Sequence, residues 1–401
     1  MSENKDSLVL IELTTIPETA WAFFRGRLRF FQEMGFTVYL ISSPGELMEK
    51  INAREGIEVI PVALNREITP LKDLGSLYQI LRIFLKLKPL IVHSHTPKAS
   101  LLGMLASAIL RVPIRFFTIH GLNLEAKGVS RWLLQISDSI SSRLAHQTFC
   151  VSKSVTEIAI AQKIVRPERI KVLLNGSING VDSRYFDPEK FGKAERARLR
   201  NQYQIPESAL VIGYVGRIVR DKGMIELAEA WNTLRKEFPQ IHLILVGPFE
   251  KQDPVPDPVK KLFQTDPRIH LTGYVADVAP FYAVMDLVVL PTYREGFPYV
   301  PLEAQAMRLS VITTRVPGAI DSIIDGITGI LIPCKNAKAL AQAMRNLINN
   351  PDLRDNMGKA GRDRVLREFR PEDIWEALFQ EYKRFLEEKG IPEPKPRDSA
   401  W

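Results

Sequence analysis

Two series of short apolar segments, each alternating with helical patterns, constrain the fold of this 401-residue chain most strongly. The first series predicts strands at 8–11, 37–41, 91–94 and 114–118, with helices at 19–34, 71–87 and 98–110. The second predicts strands at 210–213, 242–246, 269–271, 287–290, 311–313 and 329–332, with helices between them. Such alternation is typical of parallel sheets wrapped by helices, so we expect an α/β protein with two doubly wound, Rossmann-like domains that face one another across a ligand cleft.

A polar, charge-rich segment separates the two series and sets the predicted domain boundaries. We expect a first domain at 1–183, a linker region at 184–206, a second domain at 207–372, a C-terminal helix at 373–388 and a disordered tail at 389–401. The helix at 373–388 is amphipathic, and we expect it to pack back on the first domain.

The charge of the chain is positive and uneven. The formal net charge is +8, and residues 1–183 carry 22 Lys and Arg against 16 Asp and Glu, whereas the remainder carries 32 against 30. The excess favours a phosphate-bearing ligand, an acidic membrane surface or nucleic acid, unless it is merely a soluble basic surface. No recognised nucleic-acid motif is present, so we expect no nucleic-acid partner.

The chain offers neither a disulfide framework nor a membrane span. Its two cysteines, Cys150 and Cys334, lie in apolar surroundings typical of a reducing compartment. The first seven residues are polar, unlike a signal peptide, and the longest apolar stretch, 99–110, is shorter than the roughly 20 residues that span a bilayer. We expect a cytoplasmic protein, with a peripheral membrane position left open.

Glu295 and Glu303 form the most informative pair of charged residues. Glu295 follows the apolar run 287–290 at a predicted strand-to-helix turn, and Glu303 lies in the helix that follows. Such a corner of an α/β sheet binds phosphorylated, hydroxyl-rich ligands, because carboxylates accept hydrogen bonds from sugar hydroxyls and helix N-terminal amides face phosphate.

A second candidate segment follows the first strand of the second series. Gly216 permits a tight turn there, and Arg217 and Lys222 flank it five residues apart. Two cations at this place would hold a diphosphate, although an ordinary surface turn has the same composition. The order of a P-loop is absent.

Three further features have weaker signals. The turn at Gly273, Tyr274 and Val275 could contact a nucleobase, and His120 ends a predicted strand beside a glycine. His93 and His95 lie two apart on a strand, which puts them on one face. A zinc site needs a third ligand, and the sequence places no carboxylate or cysteine nearby, so we expect no metal.

The predicted helix at 19–34 carries two apolar strips with arginines between them. Arg25, Arg27 and Arg29 rim these strips, and Lys98 begins a later helix. One strip can pack on the sheet while the other meets lipid or an amphiphilic acceptor, or both can be buried. These four cations are therefore the candidate acceptor or membrane contacts.

Taken in order, the motifs resemble glycosyltransferase family 4, whose members are retaining enzymes of the GT-B fold. The resemblance covers most of the chain, and it is carried by Gly216-Arg217, Lys222-Gly223, Gly273-Tyr274-Val275, Glu295-Gly296-Phe297, Glu303-Ala304, Asp325-Gly326 and Thr328-Gly329. The spacing of Glu295 and Glu303 is the most specific of these features.

The resemblance implies roles for individual residues. Arg217 and Lys222 would clamp the diphosphate of a nucleotide-sugar donor, and Glu303 would bind the ribose hydroxyls. Glu295, with Gly296 and Phe297, would contact the donor sugar, the Gly273–Val275 turn the base, and His120 the donor sugar. No metal or other cofactor is implied, because protein cations replace the metal at the diphosphate.

The first half narrows the resemblance to one branch of the family. The segments 31–36, 42–45, 93–99, 120–121 and 175–182 are similar to enzymes that build bacterial capsule, O-antigen, exopolysaccharide or glycoprotein glycans. That similarity implies an acceptor sugar on undecaprenyl diphosphate at the cytoplasmic membrane, and most often a UDP-sugar donor. Pro298 stands where the family often has Gly, and an N-terminal Gly-Gly loop is missing at 14–17.

Three alternatives stay open at this stage. A transferase of the same fold could act on a free sugar, a sugar phosphate or a glucan. A nucleotide-sugar epimerase also has two Rossmann-like domains, although the carboxylates and cations described above fit transfer better. A catalytically silent binding protein is the third alternative.

Overall fold

The protein, described here as a computed structural model, forms two compact units. The structure describes residues 8–65, 69–122 and 128–397. Unit 1 combines the chain up to Asn179 with the segment from Pro371 on, and unit 2 comprises Gly180–Arg370. The division after Asn179 lies four residues before the boundary that the sequence indicates.

Unit 1 is built on a seven-stranded parallel sheet. Its strands are β1 (Val9–Leu13), β2 (Thr37–Ser42), β3 (Glu58–Pro61), β4 (Ile91–His95), β5 (Ile114–Ile119), β6 (Gln147–Cys150) and β7 (Ile170–Val172). Their order in the sheet is β3-β2-β1-β4-β5-β6-β7. The direction in which successive strands are added therefore reverses between β1 and β4. Ligands of open α/β sheets bind at such a reversal, at the carboxyl ends of the strands.

Eight helices of unit 1 are described. They are α1 (Pro17–Phe23), α2 (Arg27–Glu33), α3 (Leu47–Glu55), α4 (Pro70–Leu87), α5 (Pro97–Ile109), α6 (Gly128–Leu144), α7 (Lys153–Ala161) and, from the end of the chain, α16 (Pro371–Glu388). Several begin with proline, whose missing N–H removes no helical hydrogen bond in the first turn.

Unit 2 contains a six-stranded parallel sheet. Its strands are β8 (Leu210–Val215), β9 (Ile241–Val246), β10 (Ile269–Gly273), β11 (Leu287–Leu290), β12 (Ser310–Thr314) and β13 (Gly329–Ile332). The order is β10-β9-β8-β11-β12-β13, so the reversal lies between β8 and β11. Strands β9, β11 and β12 are buried along their whole length, as expected of a parallel sheet covered by helices on both faces. The two parallel sheets confirm the predicted α/β class.

Eight helices belong to unit 2. They are α8 (Lys193–Gln202), α9 (Met224–Glu237), α10 (Asp257–Thr265), α11 (Ala279–Tyr282), α12 (Tyr299–Ala306), α13 (Ala319–Ser322), α14 (Ala337–Asn349) and α15 (Pro351–Glu368). Helix α8 lies inside the predicted linker region, which therefore differs from expectation. The polar sequence of α8 gave no apolar pattern from which a helix could be predicted. Arg200 of this helix donates hydrogen bonds to the carbonyls of Ala209 and Val284 in unit 2.

Helix α16 completes the core of unit 1. Ile374, Leu378, Tyr382 and Leu386 are almost fully buried. The ring of Tyr382 stacks on Phe116 of β5, with ring centroids 5.0 Å apart. The helix begins two residues earlier than the sequence indicates, at Pro371.

The described part of the C-terminal tail lies against unit 1. Lys389 and Gly390 form a turn, and the backbone N–H of Arg397 donates to the carbonyl of Glu33 over 2.9 Å. Its guanidinium donates to the carbonyl of Phe36 over 3.2 Å. Residues 389–397 therefore differ from the predicted disordered tail, and 398–401 lie outside the described residues.

The single helix predicted at 19–34 is wrong. The chain forms α1 and α2 instead, and Gly26 separates them with a φ of 78°, a conformation that favours glycine. A Cβ at this position would lie 2.7 Å from the Trp375 side chain of α16. Both apolar strips pack against the core of unit 1, because Phe24, Leu28, Phe30 and Phe31 are buried and Trp21, Phe23 and Met34 are partly buried against the same cluster.

Among the described helices, none combines the length and the low polarity needed to cross a bilayer.

Candidate functional site

The reversal point of the unit 2 sheet brings together two of the segments that the sequence singled out. Strands β8 and β11 are neighbours, and both run in the same direction. The loop that follows β8 contains Gly216, Arg217 and Lys222. The loop that follows β11 contains Glu295 and leads into α12. The carboxyl ends of these two strands therefore form one candidate site.

The conformation of the loop after β8 is stabilised by a tyrosine hydroxyl and by close contacts between glycine backbones. The hydroxyl of Tyr214 donates to the carbonyl of Arg217 over 2.6 Å. Gly216 has a φ of 142°, and a Cβ there would lie 3.0 Å from that hydroxyl. The carbonyl of Gly216 in turn meets Gly247 so closely that a Cβ on Gly247 would lie 1.9 Å from it. Glycine is therefore required for this close packing of backbones.

Two crossed ion pairs join the loop after β8 to the loop after β11. Lys222 Nζ lies 2.5 Å from Glu295 Oε1, with 17% and 14% of the two side chains exposed. Arg294 Nη2 lies 3.0 Å from Asp221 Oδ2, and the backbone N–H of Tyr293 donates to the Asp221 carbonyl over 2.8 Å. The candidate cation and the candidate carboxylate thus contact each other directly.

Glu303 lies on α12 beside a tyrosine that the sequence did not indicate. The hydroxyl of Tyr282 donates to Glu303 Oε2 over 2.7 Å. Burial raises the pKa of Glu303 from 4.5 to about 7, although the hydrogen bond from Tyr282 opposes this change. Its carboxyl group therefore changes charge near neutral pH.

The turn at Glu295 is supported by a glycine from a distant segment. Gly318 has a φ of 80°, and a Cβ on it would lie 2.2 Å from the carbonyl oxygen of Gly296. Phe297 is buried and packs on Phe369 with ring centroids 5.6 Å apart. Pro298 is the N-cap residue of α12. These contacts stabilise the conformation of the turn, while the side chain of Glu295 remains partly exposed to solvent.

Arg217 and the predicted base-binding turn are more exposed. Arg217 Nη1 lies 2.9 Å from Glu250 Oε2, with about half of the arginine side chain exposed. Gly273 ends β10 with a φ of 67°, Tyr274 is 76% exposed, and Val275 is partly buried. The aromatic face of Tyr274 is thus accessible to a planar ligand.

His120 belongs to a cluster of charged and imidazole groups in unit 1. It follows β5, is half-buried, and its Nε2 lies 2.9 Å from Nδ1 of His95. His95 Nε2 lies 2.6 Å from Glu12 Oε2, and Arg27 Nη2 lies 2.9 Å from the same oxygen. Glu12, Arg27 and His95 have no exposed surface.

The sequence argument against a zinc site was incomplete. Glu12 on β1 supplies the carboxylate that was not visible near His93 and His95, and donor atoms of the three residues lie within 4.8 Å of one another. However, Arg27 already pairs with this carboxylate, and both nitrogens of His93 lie within 2.7 Å of the hydroxyls of Tyr382 and Thr118. This donor set does not fit a metal ion without loss of those contacts.

The four candidate acceptor or membrane cations have different surroundings. Arg27 is fully buried, so its predicted surface role is wrong, because the break at Gly26 directs it toward Glu12. Arg25 and Arg29 are exposed, and Arg29 donates to the carbonyl of Arg54. Lys98 is mostly buried and forms an ion pair with Asp73 over 2.8 Å.

Comparison with known proteins identifies the family. The family described as Glycosyl transferases group 1 matches residues 195–364, and Glycosyltransferase Family 4 matches residues 27–177. The chain is 36% identical to the capsular polysaccharide biosynthesis glycosyltransferase CapM of Staphylococcus aureus over 91% of its own length and 94% of that protein. The chain belongs to glycosyltransferase family 4.

Further similarities agree with this assignment. The glycosyltransferase is 28% identical to an Escherichia coli UDP-Gal:alpha-D-GlcNAc-diphosphoundecaprenol alpha-1,3-galactosyltransferase, over 76% of this chain and 78% of that one. It also superposes on a glycosyltransferase crystal structure from Rickettsia africae ESF-5 with a TM-score of 0.79 and 22% identity, covering 95% and 99% of the two chains. The similarity to the Rickettsia africae structure shows that the fold is GT-B.

Proposed function

We propose that this glycosyltransferase transfers a sugar, with retention of anomeric configuration, from a UDP-sugar to a saccharide carried on polyprenyl diphosphate. The reaction would serve the assembly of a bacterial surface polysaccharide or glycan. The observation that carries the proposal is the contact between Lys222 and Glu295 at the reversal point of unit 2. The names of the capsular relative and of the diphosphoundecaprenol galactosyltransferase support the choice of substrates.

Lys222 and Arg217 would bind the donor diphosphate. Cleavage of the bond between the anomeric carbon and the phosphate oxygen builds negative charge on the leaving diphosphate, and fixed cations stabilise that charge. Lys222 would exchange its ion pair with Glu295 for the phosphate, and the backbone amides of the Gly216 loop would add donors. These cations support our proposal that transfer needs no metal ion.

Glu295 and Glu303 would bind hydroxyl groups of the donor. Once Lys222 turns to the phosphate, Glu295 can accept hydrogen bonds from the sugar. Glu303 would accept from the ribose, with Tyr282 fixing its second oxygen over 2.7 Å. The exposed ring of Tyr274 would stack on the base.

Retention would result from attack on the same face of the sugar that the leaving group departs from. The acceptor hydroxyl oxygen forms the new bond to the anomeric carbon, the bond to the diphosphate oxygen breaks, and that oxygen takes the hydroxyl proton. This route needs no protein nucleophile. Glu295 is the carboxylate that a covalent route would use, but its ion pair with Lys222 favours the role of a hydroxyl acceptor.

We also propose that unit 1 binds the cytoplasmic face of the membrane through α4 rather than through the region 19–34. The side chains of Leu71, Leu74, Tyr78 and Leu85 are between 61% and 86% exposed, and their spacing places them on one side of the helix. The exposed cations Arg82 and Lys86 border this stripe. A Leu and Tyr surface with a basic edge is complementary to anionic lipid.

Product analysis with three acceptors tests the proposed reaction. The purified protein is incubated with a UDP-sugar and a polyprenyl-diphosphate-linked saccharide, with the free saccharide, or with no acceptor. We expect the lipid to gain one sugar by mass spectrometry, with an α linkage from an α donor by NMR. Transfer to the free saccharide alone would favour the soluble acceptor, and an altered donor without acceptor would favour an epimerase.

A further inference from the structure

A chain of three hydrogen-bonding side chains runs from the buried core of unit 1 to the half-buried His120. Glu12 lies on β1, His95 ends β4, and His120 follows β5. The carboxylate of Glu12 contacts Nε2 of His95 over 2.6 Å, and Nδ1 of His95 contacts Nε2 of His120 over 2.9 Å. The chain ends at Nδ1 of His120, for which the described residues provide no hydrogen-bond partner.

The direction of these hydrogen bonds follows from the chemistry of the groups. The Glu12 carboxylate can only accept, so Nε2 of His95 donates to it over the short distance of 2.6 Å. Arg27 Nη2 also lies 3.3 Å from Nε2 of His95, but it donates to the same Glu12 oxygen over the shorter distance of 2.9 Å. A neutral His95 carries one proton, so its Nδ1 is an acceptor and Nε2 of His120 must donate. A neutral His120 then has no proton on Nδ1, which is left as an acceptor.

The surroundings favour neutral imidazoles and a fixed ring. Burial lowers the pKa of His95 well below its usual range, and Arg27 adds to this effect. Burial, again with Arg27, lowers the pKa of His120 to about 3, although Glu12 opposes the shift. Phe23 stacks on His120 at a ring-centroid distance of 5.6 Å.

Other groups face the same cluster from neighbouring elements. His93 on β4 stacks on His95 with ring centroids 4.3 Å apart, and its Nδ1 contacts the hydroxyl of Tyr382 on α16. Thr118 on β5 contacts the second nitrogen of His93. His93 is therefore engaged elsewhere and does not compete for Nδ1 of His95.

We propose that Glu12 and His95 are positioning residues that hold His120 as the Nε2-protonated tautomer and so present its Nδ1 as an acceptor for a hydroxyl of the sugar substrates. The identity of that hydroxyl rests on the proposed function, whereas the tautomer does not. The Nδ1 of a histidine held in this way can accept a hydrogen bond from a hydroxyl group but cannot donate one. It therefore selects for a sugar with a hydrogen-bond donor at that position.

Nuclear magnetic resonance on the whole protein, labelled with ¹⁵N only in histidine, tests the tautomer directly. The chain has six histidines, so a two-bond ¹H–¹⁵N correlation spectrum can be assigned by substitution. We expect His120 at neutral pH to have a protonated Nε2 and an unprotonated Nδ1. A protonated Nδ1, in either the other tautomer or the imidazolium ion, would overturn the proposal. Variants serve only to assign the signals, and the readout on the wild-type protein needs no substrate.

The substitution His95→Gln tests whether His95 sets the tautomer. The Gln amide can still reach Glu12 but offers no atom at the position of Nδ1, so His120 should become a mixture of tautomers. We expect kcat/KM to fall about tenfold, the usual size of one hydrogen bond. His146→Gln, which changes another imidazole of unit 1, should leave the His120 signals unchanged.

An unchanged His120 tautomer in folded His95→Gln would overturn the positioning role. The spectrum also separates this proposal from the proposed reaction. If the wild-type protein transfers no sugar but shows the expected tautomer, the proposed reaction fails and the tautomer assignment stands. If it transfers sugar and shows the other tautomer, the positioning role fails alone.

Discussion

At the scale of single residues, the candidate donor site of unit 2 consists of oppositely charged side chains that pair with one another. Lys222 pairs with Glu295, and Asp221 pairs with Arg294. A bound diphosphate would replace one carboxylate as the partner of Lys222 and would leave that carboxylate facing sugar hydroxyls. The same two side chains would therefore respond together to the donor.

Replacement of either member of the Lys222–Glu295 pair should strongly reduce transfer while the fold stays intact. We expect Lys222→Ala and Glu295→Ala each to lower kcat by roughly 10²–10³, because each removes a group that faces charge or hydroxyls in the transition state. Turnover is measured with circular dichroism as a check of folding. Lys236→Ala, an exposed lysine at the far end of α9, serves as the control and should be fully active. Near-normal turnover in both site variants would defeat the assignment.

The raised pKa of Glu303 gives a stability effect with a definite sign. The folded protein keeps this proton up to about pH 7, whereas the unfolded chain releases it near 4.5. The contribution of Glu303 to the free energy of unfolding is therefore fully present below pH 4.5. As the pH rises through 7, the free energy of unfolding falls by about 3 kcal/mol.

The variant Glu303→Gln stays uncharged and should lack this pH dependence. Urea unfolding followed from pH 5 to pH 8 measures the difference. We expect the wild-type midpoint to fall relative to that of the variant over this range. Parallel curves would show that Glu303 is ionised throughout.

Sequence motifs indicated some of these residues and could not indicate others. Glu295 and Lys222 stand in short local patterns with characteristic spacing. Glu12 and Tyr282 do not, because each comes from a separate element and acquires its role only when the sheet aligns it with its partner. Arg27 was misassigned for the same reason, since its surface or core position depends on the backbone turn at Gly26.

At the scale of elements, apolar periodicity located helices α4 and α5 and most strands, but it missed the long helix α6 and three short strands. Helix α4 was predicted at 71–87 and spans Pro70–Leu87. Strands β3, β6 and β7 were not predicted, because polar residues border or interrupt their short apolar runs. Strands β11 and β13 also have four residues, but their sequences are continuously apolar apart from one glycine. Strand β7 also carries the exposed Lys171 at its centre. Period-two and continuous apolar patterns need longer runs to be distinguished from loops.

The exposed stripe of α4 makes a prediction at this scale. We expect the double variant Leu74→Glu, Tyr78→Glu to bind vesicles of phosphatidylglycerol and phosphatidylethanolamine at least about tenfold more weakly, because two large side chains lose their burial in lipid. Co-sedimentation with vesicles measures the effect. Leu366→Glu, on α15 of unit 2, is the matched control and should bind as the wild type does. Equal binding by all three proteins would exclude α4 as the contact.

At the scale of the whole molecule, the chain forms two α/β units, and its last helix returns to the first. Sequence alternation predicted both sheets because parallel strands and their covering helices repeat in order along the chain. The contribution of α16 to unit 1 is a long-range contact that periodicity cannot show. Its aromatic side chains contact strands more than 200 residues earlier in the chain, as Tyr382 does with Phe116.

Removal of α16 should unfold unit 1 selectively. A chain that ends at Arg370 lacks the buried Ile374, Leu378, Tyr382 and Leu386, and each is worth about 1.5–3 kcal/mol against a typical total of 5–15 kcal/mol. Hydrogen exchange read by mass spectrometry should show lost protection in β1, β4 and β5, and retained protection in β8, β9 and β11. Unchanged protection in unit 1 would contradict this account of its core.

We propose that this family 4 protein is a metal-independent transferase with a lipid-linked acceptor. The measurement that tests it most directly is nucleotide release from a panel of UDP-, GDP- and ADP-sugars in EDTA, with and without a bacterial fraction of undecaprenyl-diphosphate-linked sugars. We predict release of one nucleotide, UDP, only when the lipid is present. Release that is independent of the lipid, or that requires an added divalent cation, would contradict the claim.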